Sequence, residues 1–240
     1  MTENLGPERS HPVAIVTGAG SGIGRAIAVR VAARGFRLVL AGRHEKSLRE
    51  TGAMISAPWI AREADMADYG SIERLIDETT TWGGRLDVLV NCAGSAPLAQ
   101  IDKTTPEMLD ETYRVNATGP AYAIARAWPI MVSQQNGCIV NISSMATTDP
   151  YPGFFMYAGA KAACNLMVKS CASEGKRLGI RAFSVAPGAV ETPMLRRNFT
   201  EKLIPAIRCL SPDYVAVVVA ACIAGERDNE NGQTIYLKSP

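Results

Sequence analysis

Short apolar runs alternate with longer stretches of helical period along this chain. Val13 to Thr17 (VAIVT) is compact and rich in β-branched residues, the pattern of a strand buried on both faces. The same reading predicts strands at 13–18, 37–42, 59–64, 86–91, 137–142, 181–185 and 233–237. Helical stretches fall between them at 22–34, 44–53, 68–82, about 106–135, from Tyr157 to about Leu178, and 212–224. Strands that alternate with helices pair in parallel, so the pattern predicts an α/β fold: a doubly wound, mostly parallel sheet in three α/β/α layers. Punctuation agrees. Trp82-Gly83-Gly84-Arg85 stops a helix, Asp149-Pro150-Tyr151-Pro152-Gly153 makes a turn, and Gly119-Pro120 is expected to kink or restart the long helical region. No internal repeat or second domain interrupts residues 1–240, which read as one domain with a flexible N-terminus at 1–11.

Composition narrows the function. The chain has 240 residues, 47% of them hydrophobic, enough for a sheet covered on both faces. Lys and Arg number 25 against 23 Asp and Glu, a net charge of +2, and nothing in it argues for a nucleic-acid partner. Six cysteines contain no C-x-x-C pair, and only His11 and His44 add to the ligand pool, so no metal site is expected. No apolar signal segment and no run of 18 apolar residues is present, so no membrane partner is expected and the location reads as cytoplasmic with reduced cysteines.

Two clusters carry chemistry. The first is Gly18-Ala19-Gly20-Ser21-Gly22-Ile23-Gly24, placed between the first strand and a helix. Glycines there permit a tight turn and a close backbone approach to a pyrophosphate, which the helix N-terminus then attracts. About 20 residues further on, an acidic residue would hold the ribose hydroxyls of NAD. Here stand Gly42-Arg43-His44. A guanidinium pairs with a 2′-phosphate, so Arg43 predicts NADP(H) over NAD(H), with NAD(H) as the second candidate. The second cluster is Tyr157 with Lys161 four residues later, on one helix face, and Ser144 upstream. A tyrosine is a poor acid or base at neutral pH, and an adjacent ammonium favours its phenolate. With a serine to hold an oxygen, the trio suits moving a proton on or off a substrate oxygen.

Taken together these motifs resemble the short-chain dehydrogenase/reductase family, from Val13 to about Leu237. Thr17 to Gly24 is similar to its TGxxxGIG, Asn91-Cys92-Ala93-Gly94 to its NNAG, and Ser144, Tyr157 and Lys161 to its catalytic serine and YxxxK pair. The resemblance implies that Asn116 supports a proton-relay water, and that Asp65, with Met66 beside it, meets the adenine. Asp65 and Asp68 both also suit a helix N-cap, so cap and adenine contact are left divided between them. By the same resemblance, Pro187, Gly188, Val190 and Thr192 pin the nicotinamide carboxamide, Lys161 holds the nicotinamide ribose with Tyr157 beside it, and Asn91, Ala93 and Gly94 join Gly18, Gly20, Ser21, Gly22, Ile23 and Gly24 around the cofactor. Cys92, Ala186 and the ending Tyr236-Leu237-Lys238-Ser239-Pro240 depart from the family pattern.

The implied activity is an NADP(H)-dependent oxidoreductase that interconverts a ketone or aldehyde and an alcohol, with Tyr157 as general acid/base. A 3-oxoacyl-carrier-protein reductase is the alternative, and an NADP-binding sensor on the same fold the non-enzymatic one. The expected substrate pocket is mostly apolar: Ser95, Met145, Tyr151, Phe154 and Met194, with Ala96, Ala146 and Phe155 nearby. A short lid is expected at about 192–211, where Arg196 and Arg197 either grip an acidic group or form a solvated face. A homodimer or homotetramer is expected, with Ala117, Ala121, Ala123, Ala125 and Ala127 allowing close helix packing.

Overall fold

The computed structural model describes residues 11–240; apart from His11, the flexible stretch expected at 1–11 lies outside the described residues. Seven strands, β1 (Val13–Thr17), β2 (Arg37–Gly42), β3 (Trp59–Glu63), β4 (Val88–Asn91), β5 (Gly137–Ile142), β6 (Ile180–Pro187) and β7 (Thr234–Leu237), form one sheet. Their order is β3-β2-β1-β4-β5-β6-β7, and every neighbouring pair is parallel. The helices are α1 (Gly22–Ala32), α2 (Glu45–Gly52), α3 (Tyr69–Gly83), α4 (Pro106–Tyr113), α5 (Gly119–Gln134), α6 (Phe155–Gly175), α7 (Pro193–Asn198) and α8 (Pro212–Ile223). This is the three-layer, doubly wound arrangement the alternation predicts.

Successive strand residues face opposite layers. Ala14 and Val16 of β1 join Leu38, Leu40 and Phe183 under α1, α2 and α8, where Ile27, Leu48 and Val219 are fully buried. Val13 and Ile15 join Val39, Leu89 and Ile139 on the other side, under Ile72 and Ile76 of α3, Ala127 and Met131 of α5, and Val168 of α6. Each fully buried aliphatic side chain contributes roughly 1.5–3 kcal/mol relative to leaving it in water. Neither face of the sheet is free, which is why the strands read as continuous apolar runs.

Three local expectations change. β4 starts at Val88, two residues late, because the Gln134 side chain satisfies the Leu86 backbone: Leu86 N–H donates to Oε1 at 3.0 Å and Nε2 donates to the Leu86 carbonyl at 2.8 Å. The interruption expected at Gly119-Pro120 comes one turn earlier, as a π turn over Arg114–Thr118 in which Gly119 N–H bonds the Arg114 carbonyl. Gly119 and Pro120 instead open α5. A Cβ on Gly119 would lie 2.0 Å from the Met66 carbonyl oxygen, so only glycine fits there. Pro120 has no N–H to offer the Asn116 carbonyl, which accepts the Cys164 thiol instead at 3.1 Å. The alanine face also divides: Ala117, Ala123 and Ala127 are buried in the chain's own core, Ala121 is half-buried and Ala125 exposed.

Candidate active site

The strand order reverses between β1, which runs on to β2 and β3, and β4, which runs on to β5 and β6. At such a switch point the connections leave the sheet in opposite directions and open a crevice at the strands' C-terminal ends. A cleft of about 470 Å³ lies there.

The glycine turn forms one end. Gly18 and Gly22 hold φ of +69° and +51°, where a side chain is strained. A Cβ on Gly24 would stand 2.2 Å from the Gly18 carbonyl oxygen, and one on Gly20 would meet Ser47 Oγ at 2.4 Å. Ser21, the N-cap of α1, makes no side-chain cap bond, and no acid occupies the first turn. Open N–H groups beside bare backbone fit a pyrophosphate. Two residues that the motifs do not reveal fix the turn from behind. Arg25 donates to the Gly20 carbonyl at 2.5 Å and to Thr51 Oγ1 at 3.0 Å, and Thr51 donates to the Ala19 carbonyl at 2.9 Å.

Ser21, Ile23, Arg43, Asp65 and Met66 all line the cleft, and His44 and Ser47 stand beside Arg43. The two aspartates separate. Asp68 caps α3 by accepting Gly70 N–H at 3.0 Å, whereas Asp65 precedes the helix and accepts Ala67 N–H at 2.9 Å. Ala93 and Gly94 form the floor, and Thr17 Oγ1 holds it by accepting the N–H groups of Cys92 and Ala93 at 3.0 and 3.1 Å. Asn91 does not line the cleft; it is buried in the sheet and donates from Nδ2 to Asn141 Oδ1 at 2.9 Å. Pro187, Gly188, Val190 and Thr192 make the opposite wall. β7 braces that wall: the Leu237 carbonyl accepts Gly188 N–H at 2.8 Å, and Ser239 donates to the Ala189 carbonyl at 3.2 Å.

Tyr157 and Lys161 line the other end, one turn apart on α6 and nearly buried. Lys161 Nζ sits 5.9 Å from the Tyr157 ring centroid and donates to the Ile142 carbonyl at 2.9 Å. Ser144 leaves the end of β5, and its Oγ accepts Ala146 N–H at 3.1 Å, so its hydrogen remains free to donate into the cleft. Asn116 is fully buried and does not line the cleft. Its Nδ2 donates to the carbonyls of Ser95 and Thr112 at 2.8 and 2.9 Å, and its Oδ1 accepts Ser95 N–H at 3.3 Å. Asn116 and Lys161 both stand close to Gly94, where a Cβ would lie 2.8 Å from Asn116 Oδ1 and 3.4 Å from Lys161 Nζ.

A side-chain relay behind Ser144 is absent from the sequence reading. Ser184 donates to Asn165 Oδ1 at 2.7 Å, Asn165 Nδ2 donates to Thr147 Oγ1 at 3.2 Å, and Thr147 donates to the Ser144 carbonyl at 2.9 Å. Asn165 stands four residues after Lys161, itself four after Tyr157, so polar spacing along α6 was the available signal. Cys92, half-buried at the cleft wall, keeps a neutral thiol. Burial pushes it up to about 12, and the Lys161 ammonium only partly opposes this.

Ser95, Met145, Tyr151, Phe154 and Met194 line the cleft around Tyr157, as do Ala96 and Ala146. Phe155 does not; it is 51% exposed. Phe199 takes its place, buried against Tyr151 with ring centroids 4.9 Å apart and against Phe154 at 6.0 Å, while Phe154 packs against Tyr157 at 5.0 Å with the rings tilted by 50°. The segment expected at 192–211 contains α7, capped by Thr192, whose Oγ1 accepts Leu195 N–H at 3.2 Å. Its ends are tied together by Leu210 N–H to the Ala189 carbonyl at 2.8 Å and Glu191 N–H to the Leu210 carbonyl at 2.9 Å.

A family model described as short chain dehydrogenase matches residues 12–203. The chain is 39% identical over 189 residues to a 2-(R)-hydroxypropyl-CoM dehydrogenase of Xanthobacter autotrophicus, a match covering 76% of each. Its fold is similar to that of levodione reductase, with a TM-score of 0.88 and 27% identity over 95% of this chain and 96% of the other. It is equally similar to an actinorhodin polyketide ketoreductase variant solved with NADPH, with a TM-score of 0.90 and 27% identity over 97% and 98% of the two chains.

Proposed function

Because this chain belongs to the short-chain dehydrogenase family, and is therefore an NAD(P)-dependent oxidoreductase acting on CH–OH groups, we propose that it interconverts a small ketone or aldehyde and its alcohol with NADP(H). One observation carries the reading: Ser144, Tyr157 and Lys161 converge at one end of a cleft whose other end is a bare glycine turn under a helix N-terminus. The turn Gly18 to Gly24, Arg43, Asp65, Met66, Ala93, Gly94 and the wall from Pro187 to Thr192 would hold the dinucleotide. Bound there, its nicotinamide carries the hydride.

The chain's own residues handle the oxygen. Ser144 donates its free hydrogen to the carbonyl oxygen and fixes its position. Tyr157 gives that oxygen a proton in reduction and takes one in oxidation. Lys161, one turn further along α6, would hold the cofactor ribose. Asn116 acts through Ser95, whose backbone it fixes from both N–H and carbonyl; its amide faces protein and not substrate. Asn91 likewise serves the site as a strand brace. The 192–211 segment acts as the lid, and Phe154, Phe199, Met145 and Met194 keep water from the reacting carbon.

NADP(H) preference rests on Arg43, exposed at the cleft edge where a carboxylate would repel a 2′-phosphate. The NADPH-bound ketoreductase of like fold supports it. A hydrogen-bonded charge pair contributes about 1.5–3 kcal/mol, so Arg43→Ala is expected to weaken NADPH roughly 10- to 100-fold and leave NADH unchanged. Titrating both nucleotides into both proteins tests this, and equal affinity of the unaltered protein for the two would end the NADP assignment.

The polyketide ketoreductase likeness favours a second reading, reduction of a 3-oxoacyl group on a carrier protein. NADPH oxidation against free ketones, diketones and acetoacetyl thioesters separates the two: strong turnover of thioesters beside weak turnover of free ketones would select the carrier. The same overall reading takes a homodimer or homotetramer, supported by Leu166 standing 65% exposed on α6, and a cytoplasmic location, supported by six free cysteines. Among the described residues no helix is long and apolar enough to cross a membrane.

A further inference from the structure

Helix α7 crosses the cleft from cofactor end to substrate end. At its start Thr192 lies against the glycine turn: a Cβ on Gly22 would meet Thr192 Cγ2 at 3.0 Å. At its far end Asn198 Nδ2 donates to the Ala96 carbonyl at 2.6 Å, beside Ser95, and Phe199 packs on Tyr151 and Phe154. Six residues of helix span ~9 Å. Arg197 is in the last turn, so it belongs to the substrate end and not to the pyrophosphate end.

Its neighbours are all committed. Arg196 bonds both oxygens of Glu191 and donates to the Ile204 carbonyl at 2.8 Å. Asn198 is tied to Ala96, and Phe199 is buried. Arg197 lines the cleft, is exposed, and makes no ion pair or hydrogen bond among the described residues. Its backbone is held by three anchored neighbours, and its guanidinium stands at a pocket whose apolar lining includes Met145, Met194, Phe154 and Phe199. Besides Asp65 beside the glycine turn, two exposed carboxylates, Glu111 and Asp149, also line the cleft. They repel an anion from their own walls, and with Arg43 at the glycine-turn end and Lys161 bonded to the Ile142 carbonyl, Arg197 is the exposed cation on α7.

We propose that Arg197 receives an oxyanion carried by the substrate at a distance from its reacting carbonyl, so that the preferred substrates are anionic ketones or aldehydes. The proposal deepens the hydride-transfer reading and rests on it. The oxyanion has two sources, the carboxylate or sulfonate of a small keto acid and the phosphate of a carrier arm, and both would pair with the guanidinium in the same way.

Two matched probe pairs test it with NADPH: 6-oxoheptanoate against its methyl ester, and acetoacetyl-phosphopantetheine against the N-acetylcysteamine thioester. The unaltered protein is expected to prefer the anionic member of at least one pair. Arg197→Met should raise KM for that member roughly 10- to 100-fold, with kcat and the neutral member within about twofold, and Arg197→Lys should recover part of the loss. The pair that responds identifies the source. An equal change in both members of each pair, or no change in any, overturns the proposal. If no probe is reduced by the unaltered protein, the hydride-transfer reading fails, and the inference is read separately from the NADPH fluorescence change on adding 6-oxoheptanoate or phosphopantetheine. A response lost in Arg197→Met upholds it; a response kept in the variant, or absent from both proteins, overturns it.

Discussion

Tyr157→Phe is expected to lower kcat by roughly 10²- to 10⁴-fold, the range for loss of a positioned general acid/base. The substitution removes one oxygen from a ring that stays packed against Phe154, with ring centroids now 5.0 Å apart, so the helix and cleft wall should keep their shape. NADPH affinity should change little, because the glycine turn and Arg43 lie at the other end of the cleft. That split distinguishes a proton-transfer role from a structural one. A variant that keeps full turnover would remove Tyr157 from the mechanism, and one that loses NADPH binding in proportion would make it a binding residue. Single-turnover reduction with pre-bound NADPH reads both quantities in one protein.

Gly24→Ala is expected to act at the opposite end with comparable force. The added Cβ would stand 2.2 Å from the Gly18 carbonyl oxygen and 3.2 Å from Ala19 N, all backbone, so no side chain can swing aside. The start of α1 and the turn must part by about 1 Å, and a displacement of that order at a positioning element costs on the order of 10²-fold. NADPH Kd should rise by about that factor while the far-ultraviolet spectrum stays native, since alanine favours helix over glycine by roughly 0.5–1 kcal/mol. Gly70→Ala is the control: in the first turn of α3, its Cβ would find only ordinary contacts at 3.5 Å. Unchanged NADPH affinity in Gly24→Ala, measured by calorimetry, would show that the close approach to Gly18 does not shape the cofactor site.

The strands were legible because a parallel sheet covered on both faces leaves only short apolar runs, and the glycine turn because its spacing answers to backbone contact. Arg43 lines the cleft at the end of β2, the place its position in the chain implied. Residues that act by orientation were harder. Asn91 and Asn116 sit where the motif puts them, yet their amides turn into the sheet and the loop backbone, and spacing along a chain does not record which way an amide faces. Phe154 and Phe155 differ by one residue, which on a helix is about 100° of rotation; where α6 begins decides which enters the cleft. Helix α7 has only six residues, too few to show a period, although Thr192 followed by Pro193 is a helix-start signal that could have been read. The relay through Asn165 joins β6, α6 and the turn after β5, a contact that exists only once the sheet is assembled.

The seam between β1 and β4 has a consequence for how the protein folds and stays folded. Ala14 pairs with Val88, so the two halves of the sheet are joined across α1, β2, α2, β3 and α3, more than 70 residues of intervening chain. Parallel pairing between distant segments is slow to nucleate, because the loop entropy must be overcome before the contacts form. The cleft opens at that same seam, with Gly18 on one side and Ala93 and Gly94 on the other. A dinucleotide held across it would touch both halves at once and so favour the joined sheet. By mass action its concentration relative to its Kd adds directly to the free energy of unfolding. The crevice proposed to serve chemistry would thus also be the place where cofactor supply sets how much of the chain is folded at equilibrium.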